Sequence, residues 1–313
     1  MKKIVIALGG NALQDAGGPS TAEAQLETVE KACGYIASVI EQGYTVVIAH
    51  GNGPQVGRLV LQNEYAVPVT PAMPFDVCGA MSQGMIGYHI QQAMGKVLRN
   101  RSIDSQVATL VTQVVVDQND PMFQNPTKPI GPFYSEDEAK AIAAEKGYTM
   151  KEDSGRGWRR VVASPLPVEI TELSAVKCLI DGGFTVITVG GGGVPVIKSA
   201  KGELSGVAAV IDKDLASEKL AEDINADALL ILTAVEKVSL NFKKPDQKDL
   251  DTITVAQAKE YIAEGHFAPG SMLPKVEAAV KFAQSGPGRK AIITFLDKAL
   301  DALAGKAGTT VIG

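Results

Sequence analysis

Lys3-Ile-Val-Ile-Ala-Leu-Gly-Gly-Asn-Ala-Leu13 is an unbroken apolar run that stops abruptly at two glycines and an asparagine. A β-branched run with no polar alternation suits a strand covered on both faces, as in a parallel sheet between helix layers. Ligands bind at the carboxyl edge of such a sheet. Gly9 and Gly10 carry no Cβ, so their N–H groups can approach a charged oxygen closely or turn through φ values closed to other residues. The same residues also suit a plain strand-to-helix turn. The chain repeats the device in Val46-Val-Ile-Ala-His-Gly-Asn-Gly-Pro54 and in Thr185-Val-Ile-Thr-Val-Gly-Gly-Gly-Gly-Val-Pro195. Three strands ending in glycine loops predict one shared crevice.

Around these strands, apolar runs alternate with helical patterns. That alternation predicts an α/β fold, a three-layer α/β/α sandwich around an open, mainly parallel sheet in a single domain. Ser20-Thr-Ala-Glu23 reads as a capping box for a helix to about Glu41, and Pro54 fits the first turn of the next helix. Asp76 precedes a long helix to about Leu98. Its stripe of Met81, Met85, Ile86, Ile90, Met94 and Leu98 reads as packing, of which a dimer surface is one form. From Asp117 to Pro167 the texture changes to six prolines, a short helix over Ser135 to Lys146, and the turn Asp153-Ser-Gly-Arg-Gly-Trp158. Residues 117–167 predict a lid subdomain over the crevice. Further on, Val207 to Ile211 reads as a strand, Asp214 as the cap of a helix to about Ile224, and Ala228 to Thr233 as a buried strand. Thr254-x-x-Gln257 is a second capping box.

Composition narrows the function. The 313 residues are 45% hydrophobic and 21% charged, with a net charge of −5 and no basic run. This argues against nucleic acid as a partner, which needs clustered Lys and Arg. Cys33, Cys78 and Cys178 are far apart in apolar settings and predict buried free thiols in a reducing compartment. The chain enters its first strand with no signal-peptide pattern and has no apolar run of spanning length, so the expectation is a cytoplasmic protein with no membrane partner.

Neither familiar nucleotide motif is present: there is no G-x-x-x-x-G-K-[S/T] loop, and Gly190 to Gly193 begins no dinucleotide fingerprint. His50, His89 and His266 lack metal-ligand spacing. Only His50 stands beside a glycine loop, where a structural and a catalytic role are both open. No G-x-S-x-G elbow occurs. Three lysines remain in irregular Gly/Pro-rich sequence: Lys128 in the lid, Lys213 next to Asp212, and Lys275 at a proline-started helix. Singly, each also reads as an exposed surface charge. Together they suit phosphoryl transfer, whose catalysis is mostly positioning and electrostatic stabilisation of spreading negative charge.

Ala7-Leu-Gly-Gly-Asn-Ala12, His50-Gly-Asn-Gly-Pro-Gln-Val-Gly57, Asn125-Pro-Thr-Lys-Pro-Ile-Gly-Pro132, Gly155-Arg-Gly-Trp158, Gly190-Gly-Gly-Gly-Val-Pro195, Ala209-Val-Ile-Asp-Lys-Asp214 and Gly265-His-Phe-Ala-Pro-Gly-Ser-Met-Leu-Pro-Lys275 span nearly the whole chain. In these motifs the chain resembles the carbamate kinases of the amino acid kinase family. The resemblance implies reversible phosphoryl exchange among ATP, ADP, carbamate and carbamoyl phosphate in a homodimer, running toward ATP in carbamoyl phosphate-yielding catabolism such as that of arginine. It implies Mg²⁺ held mainly by phosphates and water, with no protein metal site. It implies that Gly9, Gly10, Asn11, Gly51, Asn52, Gly53, Gly191 and Gly192 hold the phosphoryl group and carbamate, and that Lys128 closes over them. It further implies that Lys213 and Lys275 bridge to the nucleotide, that Asp212 orients the lysines, and that the adenosine lies near Thr233, Ala234, Val235, Val238 and Met272. The substrate-binding half would be residues 1–205 and the nucleotide-binding half 206–313. Two rivals stay open: a sister kinase for another small carboxylate, and a non-catalytic nucleotide sensor. The Lys128 lid sequence argues against the first, and retention of all three lysines with Asp212 argues against the second.

Overall fold

Three strands carry glycine loops at their carboxyl ends, β1 (Lys3–Leu8), β2 (Thr45–His50) and, after β3 (Val107–Thr109), β4 (Thr185–Ile187). They join β5 (Ala228–Thr233), β6 (Thr252–Thr254), β7 (Lys290–Phe295) and β8 (Thr309–Ile312) in an eight-stranded sheet. Its spatial order is β6-β8-β7-β5-β1-β2-β4-β3, and only the β7–β8 pair is antiparallel. The computed structural model describes residues 2–15, 17–153 and 155–313, without the side chain of Asn11.

Register places the crevice. Leu8 lies opposite His50 in the β1–β2 pair, so the Gly9 and Gly51 loops leave the sheet at the same level. Ala7 lies opposite Ile231, which brings Thr233 and its loop to the same edge. β1 is buried from Ile4 onward, and its residues alternate between two cores. Val5 and Ala7 face one core, and Ile4, Ile6 and Leu8 face the other. Each buried Val, Ile or Leu side chain among them contributes about 1.5–3 kcal/mol by leaving water, which suits so apolar a strand to the interior of the sheet.

The Leu8 face is covered by α1 (Ala22–Glu41) and α3 (Phe75–Asn100), through residues such as Cys33, Ile36, Ile90 and Met94. α2 (Gly53–Ala66) runs from the second glycine loop and packs against the strand Lys128–Tyr134. Within residues 117–167, the strands Lys128–Tyr134, Met150–Glu152 and Trp158–Val162 form an antiparallel sheet beside α4 (Glu136–Lys146). The other face of the main sheet is covered by α5 (Leu173–Asp181), α6 (Lys213–Asp223), α7 (Val255–Ala263) and α8 (Met272–Gln284). A last short helix, α9 (Ala299–Leu303), returns to the α1 side. Among the described residues, no helix is long and apolar enough to cross a membrane.

Four local expectations are corrected. Thr21, not Ser20, caps α1 by accepting the Ala24 N–H at 3.3 Å, while Ser20 lends its carbonyl to Gln25 and Arg58. Residues 207–211 are not a strand. Their one ladder contact is the Ala163–Ala209 bridge, which ties the segment to the chain just after the strand Trp158–Val162 and leaves it outside the main sheet. Cys178 is exposed, unlike Cys33 and Cys78, since α5 turns Val176 and Ile180 inward and Cys178 outward. The stripe on α3 is buried from Ile86 to Leu98, but Met81 is exposed.

Candidate active site

The first glycine loop is shaped by its neighbour and open to its front. A Cβ on Gly9 would stand 2.8 Å from the Leu232 carbonyl oxygen, whereas one on Gly10 would meet nothing within 4 Å. Gly9 is therefore required by the protein, and Gly10 borders free space. The side chain of Asn11 lies outside the described residues. At the second loop, Gly51 lies under the aliphatic stem of Lys213, whose Cδ would be 3.3 Å from a Cβ. Asn52 is buried, and its side-chain amide donates to Ser82 Oγ at 2.8 Å. Gly53 opens α2, with proline next in its first turn.

Gly191 and Gly192 are buried beneath this loop with φ of +65° and +92°. A Cβ on Gly191 would fall 2.1 Å from the Asn52 amide, and one on Gly192 would fall 2.3 Å from the Ile211 carbonyl. The two glycines pack against Asn52 and Ile211, and the Gly192 N–H is donated to the Val189 carbonyl at 3.0 Å. His50 is resolved as well. It is fully buried, its Nδ1 donates to the Gly51 carbonyl at 2.9 Å, and burial pushes its pKa down to about 4. A neutral imidazole fixed to its own loop is a brace.

The charged part of the site comes from three distant segments. Asp212 caps α6 by accepting the Asp214 N–H at 2.8 Å, which corrects the assignment of the cap to Asp214. The other oxygen of Asp212 accepts the Lys128 ammonium at 2.5 Å. Asp214, 2% exposed, receives Lys213 on one oxygen and Lys275 at 3.0 Å on the other. So Asp212 holds Lys128, and it is Asp214 that gathers Lys213 and Lys275. Burial raises the Asp214 carboxyl, but the two ammonium groups outweigh it and hold the pKa well below the usual range. Burial lowers Lys213 more than Asp214 raises it, and the Lys275 charge adds to the lowering. For Lys275, burial is outweighed by Asp214 and the pKa is raised. Three ammonium groups around two carboxylates leave the cluster cationic, as an anion site requires.

Lys213 and Lys275 line a cavity of about 430 Å³ with Gly9, Gly10, Thr233 and Ala234. Tyr35, Phe295 and Asp297 close its rim. Sequence reading missed all three, which come from a helix face and a strand end with no motif. A second cavity of about 490 Å³ shares Thr233 and Ala234 and adds Val235, Phe267 and Met272. Val238 lines neither. It is fully buried in the core with its N–H donated to Thr309 Oγ1 at 2.8 Å, which corrects its placement at the adenosine.

The sequence profile of the amino acid kinase family matches residues 2–294. The carbamate kinase of Clostridium perfringens is 55% identical over 313 residues, covering 99% of each chain. That of Thermococcus kodakarensis is 54% identical over 315 residues, covering 100% of this chain and 99% of its own. Among solved structures, carbamate kinase from Giardia lamblia bound to AMP-PNP is 49% identical with a TM-score of 0.91, covering 99% of this chain and 98% of its own. Matched over nearly its whole length in sequence and in backbone, the chain belongs to the amino acid kinase family.

Proposed function

We propose that the chain catalyses reversible phosphoryl transfer between ATP and carbamate, giving ADP and carbamoyl phosphate. The observation that carries this reading is the cluster of Lys128, Lys213 and Lys275 on Asp212 and Asp214, set at the edge where the Gly9 and Gly51 loops leave the sheet. The carbamate kinases that it matches over full length give the acceptor.

Carbamate is already an anion, so its oxygen can attack phosphorus with no proton to remove. The residues' work is then to hold and neutralise. In this reading Gly9, Gly10 and Gly53 offer backbone N–H groups to the transferred phosphoryl, while Gly51 donates its N–H to the Leu8 carbonyl at 3.2 Å and shapes the loop with buried Asn52, where carbamate is received. Lys213 and Lys275 flank the nucleotide phosphates, and Lys128 approaches from the lid to meet charge on the equatorial oxygens. The adenosine takes the cavity of Val235 and Met272.

Magnesium belongs to the nucleotide substrate here. Asp212 and Asp214 are engaged by lysines, and the described residues hold no group of three or more His, Cys, Asp or Glu able to take a metal ion. That donor set suits an ion that keeps its waters and binds phosphate oxygens. A homodimer through the exposed part of α3, with Met81 and Tyr88, fits the same reading, as does a physiological direction toward ATP, because carbamate decomposes readily.

A coupled assay is expected to detect ATP from ADP, carbamoyl phosphate and Mg²⁺. ATP formed from another acyl phosphate but not from carbamoyl phosphate would overturn the choice of acceptor. Lys128→Ala is expected to lower kcat by on the order of 10²-fold and to leave ADP affinity, measured by calorimetry, nearly intact. Equal loss of both would place Lys128 on the nucleotide.

A further inference from the structure

Away from the reacting groups, one carboxylate ties the lid to the rest of the fold. Gly57, Val60, Leu61 and Glu64 follow the i, i+3, i+4, i+7 spacing of a single face of α2, and all four border a cavity of about 320 Å³ between α2 and the lid. At the near end of that face, a Cβ on Gly57 would stand 2.1 Å from the Gly131 backbone, so helix and lid strand are in bare contact. Two turns further on, Glu64 meets three lid groups from three different places. Lys146, in the last turn of α4, donates to its Oε2 at 2.5 Å. The Tyr148 hydroxyl donates to Oε1, and the Arg160 guanidinium lies 3.7 Å from the same oxygen.

These contacts reach Lys128 through one stiff piece. Arg160 stacks on the Tyr148 ring with 3.6 Å between the guanidinium carbon and the ring centre. It pairs across the lid sheet with Ile130, which is fully buried and lies on the same strand face as Lys128, two residues earlier. At the base of that strand, the Pro129 carbonyl lies 3.7 Å from the place a Cβ on Gly53 would take, and Gly53 is the residue on which α2 begins. Burial pushes the Glu64 carboxyl up, but the bonds from Lys146 and Tyr148 outweigh it and hold the pKa below the usual range. Glu64 therefore meets the two cations as a carboxylate.

We propose that Glu64 is a positioning residue for Lys128: it locks the lid sheet to α2, so that the lid lysine and the Gly51–Gly53 loop move as one body. The proposal rests on the role given above to Lys128. Glu64 touches no reacting group. Its loss leaves Lys146 and Arg160 without their common partner and frees the lid strand to pivot on the Gly57–Gly131 contact.

The test is a double-variant cycle on the full chain, reading kcat for ATP formation and ADP affinity by calorimetry. E64Q keeps the shape and removes the charge. It is expected to lower kcat by on the order of 10- to 100-fold, the effect of misplacing a positioned group by about 1 Å, with ADP affinity unchanged. Added to K128A, it is expected to lower kcat by less than about two-fold more, because the group it positions is already gone. E64D, charged but shorter, is expected to fall between E64Q and the native chain, and it carries the same cycle if E64Q does not fold. Losses that multiply in the double variant, or an ADP affinity that falls with kcat, would overturn the role of Glu64 while leaving that of Lys128 in place. A normal kcat in K128A alone would instead overturn the reading of Lys128, and this proposal with it.

Discussion

Lys275→Ala is expected to lower kcat for ATP formation by about 10²–10³-fold, and Lys213→Ala by a similar factor. Both ammonium groups reach the same buried carboxylate, one on each oxygen of Asp214, and both line the cavity beside Gly9 and Gly10. A cation held this way needs no reorganisation as charge spreads over the phosphoryl oxygens, so its removal acts mainly on the transition state. The two variants should differ in binding. Lys213 lays its stem across Gly51 of the second glycine loop, whereas Lys275 projects from the first turns of α8, which begins at Met272 in the cavity where the proposed function seats the adenosine. Lys275→Ala should therefore also weaken ADP, and Lys213→Ala should weaken it less. Steady-state kinetics with ADP calorimetry decides the point. Near-normal turnover in both variants would mean that neither lysine meets the phosphoryl group.

Asp214→Asn is expected to be the most damaging single change at the site, because it strands two cations in a place shaped for three charges. Removing one partner of a buried, hydrogen-bonded charge set destabilises by about 3–5 kcal/mol. Thermal unfolding at neutral pH should reveal that loss. The native contribution has a definite pH window. Asp214 has a folded pKa held below its unfolded value near 3.8. Its stabilisation is therefore present above about pH 4 and is lost as the pH falls toward the folded value. The difference in stability between native chain and variant should shrink on acidification.

Activity gives a second readout of opposite sense. The Lys213 pKa is already lowered by burial, and its charged form is lost as the pH rises through that lowered value. Asp214→Asn removes the group that supports the charge on both lysines, so the Lys213 pKa falls further and Lys275 loses what raises its own. The alkaline limb of kcat/KM should move to lower pH in the variant. An unmoved limb would show that the titrating group lies elsewhere.

Much of the fold was legible because its signals are local. A continuous apolar run, a glycine break and a proline in a first helical turn are properties of adjacent residues, and β1, β2, β5, α2 and the Thr254–Gln257 capping box formed where those patterns stand. The failures were also local in kind. Asp212 and Asp214 both suit a helix start, and a shift of two residues exchanges the capping carboxylate for the one that gathers Lys213 and Lys275. Residues 207–211 have strand composition, but a strand needs a partner, and theirs is a single bridge to Ala163.

Within the site, sequence could name the lysines but not their partners. Lys275 and Asp214 are 61 residues apart, and Lys128 and Asp212 are 84 apart. No spacing rule spans such distances, so sheet register and helix packing alone select which oxygen meets which ammonium. The same limit applies to glycine. Gly10 and Gly191 are chemically identical, yet one faces open space and the other would collide with Asn52. Val238 completes the contrast, since the family resemblance placed it at the ligand and it is core. The chain's own order determined the strands, the helices and the chemistry available at their ends. Tertiary structure decided which of those groups share one small volume, because only there do Coulomb attraction, burial and steric exclusion act between residues distant along the chain.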